Sequence, residues 1–408
     1  MLLYNAEVHT ISHGTFHGYV GIDENGRISM VGAGSPGSTA QGDIDCNGMH
    51  IYPGFVDIHT HMGFIGDGQG EEGDDVNEGS SPITPQLRAI DGINYYDGYF
   101  EDAIKAGVTT VITGAGSLNA IGGTMIAVKT AAYTTGRYGK QSYRSLDDAY
   151  IRTVAVKFAL GENPKSYYSE RDEAPQTRMG TASLIRETLY KAQQYMKQKE
   201  DAETVADEPE FDLKYEALIP LLKHEIRPHI HCHRADDILT ALRICEEFGF
   251  SPLLVHCTEG YKISGILQKK LEKTGSGVVV GPILCDRGKP EMAGASYSNA
   301  GELADEGIKV AICTDHPEVM IDSLAMSAAM CAKYGMSDDD AIRAITLTAA
   351  ELGDIADEVG SIDIGKSADL AVFDGDPLEI RTSALMTIIN GRIVHCTEHF
   401  RDIQEKEI

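Results

Sequence analysis

The stretch Pro53–Gly68, PGFVDIHTHMGFIGDG, is an apolar, β-rich run that ends in two histidines one residue apart, His59 and His61. Alternate residues of a strand point to one side. Both imidazoles can therefore face a common point where the strand gives way to a glycine-rich loop. An isolated H-x-H motif is weak evidence, so its meaning depends on what the rest of the chain brings to it.

Seven more β-rich runs follow: GVTTVITGA, TMIAVKT, YIRTVAVKFAL, RPHIHCH, SPLLVHC, SGVVVGPIL and IKVAICTD. Amphipathic patterns lie between several of them, among them YYDGYFEDAIKAG before the second and ADDILTALRICEEFG between the fifth and sixth. Strands that recur with intervening helices predict parallel pairing through right-handed crossovers. Eight in succession predict an α/β chain with a closed (β/α)8 TIM barrel over residues 53–359. Residues 1–52 and 360–408 instead show short alternating strands broken at Glu-Asn-Gly and Gly-Ser-Pro-Gly turns or echoing them in GSIDIGKSADLAVFDGDP. Neither end has enough strands to bury a core alone, so both together should form one small composite β-sandwich. Residues 162–215 are polar, helical in the middle and acidic at the end, and read as an extended connection carrying a solvated helix.

Composition narrows the function mostly by exclusion. Of the 408 residues, 42% are hydrophobic, enough for a sizeable core and unlike a disordered chain. A net charge of -27 leaves no basic stripe for phosphates, which argues against nucleic acid. No apolar run approaches the ~20 residues of a membrane span, and the start MLLYNAEVHTIS lacks the pattern of a secretory signal. Eight cysteines without paired spacings fit reduced thiols in a cytoplasmic protein. Self-association is left open.

The carboxyl ends of the predicted strands carry the chemistry. His59 and His61 end the first, Lys157 lies near the end of the fourth, and His231 and His233 end the fifth. His256 ends the sixth and Asp315 the eighth. In a parallel barrel those ends share one face. Imidazoles from three strands and a carboxylate from a fourth form a mixed N/O shell suited to Zn²⁺ or a neighbouring divalent ion.

With PGFVDIHTH, HIHCH, LLVHC, AICTDH and the tail GSIDIGKSADLAVFDGDP...INGRIVHC in place, the chain resembles the amidohydrolase superfamily, nearest to its imidazolonepropionase-related and prolidase-like members. The likeness runs over essentially the whole chain. It implies a (β/α)8 barrel with one or two divalent ions and hydrolysis at amide, lactam or related C–N bonds. It implies His59, His61, His256 and Asp315 as ligands. On the fifth strand, His231 best fits the ligand position and His233 a substrate-facing one, with the opposite assignment open. Lys157 occupies the place where dinuclear members carry a lysine carboxylated by CO₂; the alternatives are a lysine paired with Glu162, or Lys129 serving instead. The resemblance implies a metal-activated water, with Asp315 taking its proton and passing it to the departing nitrogen.

Substrate contacts are sought on the loops. Arg287 and Lys289, in GPILCDRGKPEM, can hold a substrate carboxylate, and Asn119 lies on the loop after the second strand. The acidic tract after the first strand would lie over the same face. The leading reading is hydrolysis of a non-peptide or cyclic amide in a small molecule. A prolidase-like dipeptidase or acyl-amino-acid hydrolase comes second. A deaminase comes third, because Arg234 stands where such members usually place a Glu, three residues after the fifth-strand His. The segment after His61 does not look like the substrate loop of imidazolonepropionase itself. A scaffold role without catalysis would require lost ligands, and every expected position is filled.

Overall fold

The computed structural model describes residues 1–135 and 142–400. Eight strands form the barrel sheet: Phe55–Thr60, Val108–Gly114, Ile121–Lys129, Tyr150–Ala159, Arg227–Cys232, Leu253–His256, Gly277–Val280 and Lys309–Ile312. They lie side by side in chain order. Val56, Ile112, Met125, Ala155, Leu253 and Val279 meet in one buried cluster, the interior filling expected of a closed barrel.

The third strand departs from the expected all-parallel arrangement. It runs antiparallel to both the second and the fourth. Residues 115–120 are too short a link for a crossover, which needs about a dozen residues, so the chain turns back as a hairpin. The reversal carries Lys129 to the opposite end of the barrel, where it forms a buried ion pair with Asp369. That removes Lys129 as a substitute for Lys157.

The first and eighth strands share no ladder in the sheet. Their seam is closed by Val56 N–H donating to Ile345 O at 2.8 Å, Asp315 N–H to His59 O at 3.1 Å and His61 N–H to His316 O at 2.9 Å. Two of these three bonds involve the expected metal-binding segments.

The connection after the fourth strand is better packed than its composition suggests. The Thr177 side chain caps helix Arg178–Asp201 by accepting from Gly180 N–H. Thr181, Ile185, Leu189 and Ala192 are buried along one stripe. The helix lies against Leu213–Leu222 and Ala235–Phe248, tied by Tyr190 and Arg186 to Glu247, each at 2.6 Å. It belongs to the outer helical layer and is not a solvated excursion.

Both termini share one further sheet. Its order is Arg392–Cys396, Ala384–Ile389, Leu370–Phe373, His50–Pro53, Leu2–His9, Thr15–Ile22 and Ile28–Ala33. The two ends join at His50–Pro53, which pairs parallel with Leu2–His9 and antiparallel with Leu370–Phe373. Leu3, Val20, Ile28, Leu370, Met386 and Ile388 pack into a separate core, as in a sandwich. Phe55 at the start of the barrel stacks on Phe373 with centroids 5.3 Å apart. Among the described residues no helix is long and apolar enough to cross a membrane.

Candidate metal centre

At the end of the first strand, His59, His61 and Asp315 place one donor atom each within 4.8 Å of one another. His231, His233 and His256 do the same. The two groups adjoin: the rings of His59 and His256 are 5.6 Å apart, and those of His231 and His256 4.5 Å. Lys157 Nζ lies 2.9 Å from His59 Nε2. All seven side chains are buried.

Local backbone structure aims these groups. Asp315, His256 and Cys257 have φ of 54°, 72° and 44°. Side chains adopt that left-handed region only when their surroundings impose it. Here Asp315 N–H is held by His59 O at 3.1 Å and Cys257 N–H by Cys232 O at 3.0 Å. Asp57, within the opening motif, accepts from Thr314 N–H at 3.0 Å, Thr314 Oγ1 at 2.6 Å and His59 N–H at 3.2 Å. It clamps the two metal-facing segments together, and burial raises its carboxyl to about 7.

The rings are tethered in the manner of metal ligands. His61 Nδ1 faces Gly114 O at 2.9 Å and His256 Nδ1 faces Gly281 O at 2.8 Å. His233 Nδ1 faces Thr258 Oγ1 at 2.7 Å, and His231 Nε2 faces Glu291 Oε1 at 3.3 Å. One nitrogen of each of these four rings is thus oriented by a neighbour, leaving the other for an ion. His231 Nδ1 and Asp315 Oδ1 are buried with no hydrogen-bond partner among the described residues. Unpaired buried donors and acceptors are costly, and a divalent cation satisfies them. Burial, then charged neighbours, holds His59, His231 and His256 well below the usual imidazole range, which favours the neutral ring that a metal ligand requires. His233 is pushed down to about 4, mainly by burial. Lys157 is lowered to about 8, again mainly by burial.

Lys157 has no ion pair with Glu162, whose Oε2 instead accepts from Glu291 N–H at 3.1 Å. A cavity of about 180 Å³ opens over the centre, lined by His61, His231, His233, Lys289 and Asp315. Ile65, just ahead of the acidic tract after the first strand, and Val76 and Asn77 within it form part of its wall. One expected substrate contact is placed elsewhere. Asn119 is fully engaged: its Nδ2 donates to Glu78 O and Thr84 Oγ1, each at 2.8 Å, and its Oδ1 accepts from Tyr168 at 2.6 Å. It braces the wall from behind and does not face substrate. Arg287 is exposed and donates to Ala295 O at 2.8 Å, and it lines an adjoining cavity of about 380 Å³ that also reaches His256. Sequence reasoning passed over Glu291, although it lies two residues beyond Lys289 in the stretch already singled out.

A barrel with imidazoles, a lysine and an aspartate gathered at one mouth defines a metal-dependent hydrolase. Residues 218–397 match the family model described as Amidohydrolase family. The chain is similar to the crystal structure of an amidohydrolase from Thermotoga maritima MSB8, with 36% identity and a TM-score of 0.90 over 97% of this chain and 100% of that one. It is 29% identical over 387 residues to amidohydrolase tasK of Hapsidospora irregularis, covering 90% of this chain but 39% of that relative. The chain thus spans about two fifths of that relative's length. It is 24% identical over 403 residues to an imidazolonepropionase of Alkaliphilus oremlandii, covering 88% of this chain and 86% of that relative. The chain belongs to the amidohydrolase superfamily and is a hydrolase of C–N bonds.

Proposed function

We propose that this protein hydrolyses a non-peptide or cyclic C–N bond in a small substrate that carries an anionic group, with Zn²⁺ in the centre. The carrying observation is Lys289. It lines the cavity beside Asp315, and among the described residues no carboxylate lies within ion-pair distance of it. A substrate carboxylate held there would set the scissile bond against the centre. The cavity of about 180 Å³ suits a small molecule, and the likeness to imidazolonepropionases supports a ring substrate.

The ion, when bound, supplies Lewis acidity and an activated water. His59, His61, His231, His256 and Asp315 would hold it, and the neutral rings add no competing charge. Asp315 takes the proton of the attacking water and returns it to the departing nitrogen. Lys157, lowered to about 8, loses its proton more readily than a free lysine, and its neutral amine fraction would add CO₂, forming an N–C bond and releasing one proton. The resulting carbamate is an anionic ligand where a buried ammonium would be costly.

The same free ammonium favours a second reading, an acyl-amino acid or dipeptide whose terminal carboxylate meets Lys289. A hydrolysis screen of the metal-loaded protein separates the two. Turnover of carboxylated cyclic amides is expected. Turnover confined to dipeptides and acyl-amino acids would replace the first reading with the second.

A further inference from the structure

Glu291 is a buried carboxylate on the loop that follows the seventh strand. Its Oε1 lies 3.3 Å from His231 Nε2 and 3.7 Å from His233 Nε2. Its Oε2 accepts from Glu162 N–H at 2.9 Å, while Glu291 N–H donates to Glu162 Oε2 at 3.1 Å. The two residues hold each other reciprocally. Gly161, at φ 86°, makes the approach possible: a Cβ there would stand 2.6 Å from Glu291 Oε2.

We infer that Glu291, braced by Gly161 and Glu162, fixes the His231 ring so that Nδ1 is the atom presented to the metal. This rests on the metal-dependent reading above. A carboxylate only accepts hydrogen bonds, so the facing Nε2 carries the ring proton and the lone pair falls on Nδ1. That nitrogen is the one buried without a partner. Charge points the same way. Among the described residues no Lys or Arg lies within ion-pair distance of Glu291. Its neighbour Asp237 bears the same sign and is already paired with Arg178 at 3.0 Å. The protein therefore buries this carboxylate without a cation of its own, and a divalent ion on His231 supplies the missing positive charge. Glu291 is a positioning residue, acting through His231.

The test is Glu291→Gln in the full chain, read by Zn²⁺ affinity in a chelator competition and by melting with and without Zn²⁺. Loss of the charged acceptor should weaken Zn²⁺ binding about 10- to 100-fold. The metal-free variant should melt no lower than the metal-free parent, because a buried uncompensated charge has gone. Gly161→Ala, which leaves Glu291 in the chain but displaces its carboxylate, should weaken binding in the same direction. Unchanged Zn²⁺ affinity in Glu291→Gln overturns the inference and leaves the metal-dependent reading intact. So does an equal fall in melting temperature with and without metal, the mark of a merely structural residue. A parent protein that takes up no Zn²⁺ overturns both.

Discussion

Lys157 combines full burial, a lowered pKa of about 8 and a 2.9 Å approach to His59 Nε2. These make it the most informative single position of the candidate centre. Lys157→Ala should reduce turnover by about 100-fold or more, and added formate or acetate should restore part of it by filling the place of the carbamate. A variant that keeps the parent rate shows that no modified lysine is used. The residues that gather at the candidate centre were legible because each stands next to a strand terminus within a recognisable short motif. Glu291 was not, since its role exists only once two distant loops, 161–162 and 281–299, have met. Its one visible signal is the Lys-Pro-Glu run. Asn119 misled for the converse reason: residue type and loop position suggested substrate, but Glu78 O, Thr84 and Tyr168 already satisfy it.

At the scale of elements, strand number and order followed from the pattern of β-rich runs, whereas direction did not. The short link at 115–120 was the available clue that the third strand must reverse. Helix Arg178–Asp201 shows how a polar composition hides a packed stripe, because the buried positions are only a few among many charged ones. Leu189→Ala should cost about 2–5 kcal/mol in chemical denaturation, with turnover per folded molecule unchanged; a cost near zero would return this helix to the solvent. In the terminal sheet, His9 is held down to about 4, chiefly by burial and then by His50. It also contacts Thr15 and stacks on Tyr52 at 4.0 Å. Above pH 6.5 the ring is neutral folded or unfolded and pH has no leverage through it. Between 6.5 and 4 the unfolded chain takes up a proton that the folded one refuses, so stability falls with acidification. His9→Gln should lose less of its urea midpoint than the parent between pH 7 and pH 4.5.

For the whole molecule, the barrel and the composite terminal sheet were both anticipated, because each end alone was too small to bury a core. How the two bodies grip each other was hidden. The joint uses Phe55 on Phe373, and the buried pair of Lys129 with Asp369, which also accepts from Asn390 N–H at 2.9 Å. These are contacts between residues hundreds of positions apart, with no periodic signature. Asp369→Ala leaves an ammonium buried alone and should cost about 3–5 kcal/mol of stability, measured by denaturant titration. A loss below about 1 kcal/mol would mean that water reaches Lys129 and the joint is open.

The reversed third strand also decides where new specificities can arise. On that side the rim is a tight hairpin, with Gly116 N–H donating to Val76 O at 2.8 Å and Leu118 N–H to Asn77 Oδ1 at 3.1 Å. Insertions there would tear the wall from its support. The long segment 281–299 carries both Lys289 and Glu291 and has no such constraint along its exposed outer stretch. Diversification of ligand preference, natural or by directed evolution, should therefore concentrate on one quadrant of the entrance and spare its neighbour.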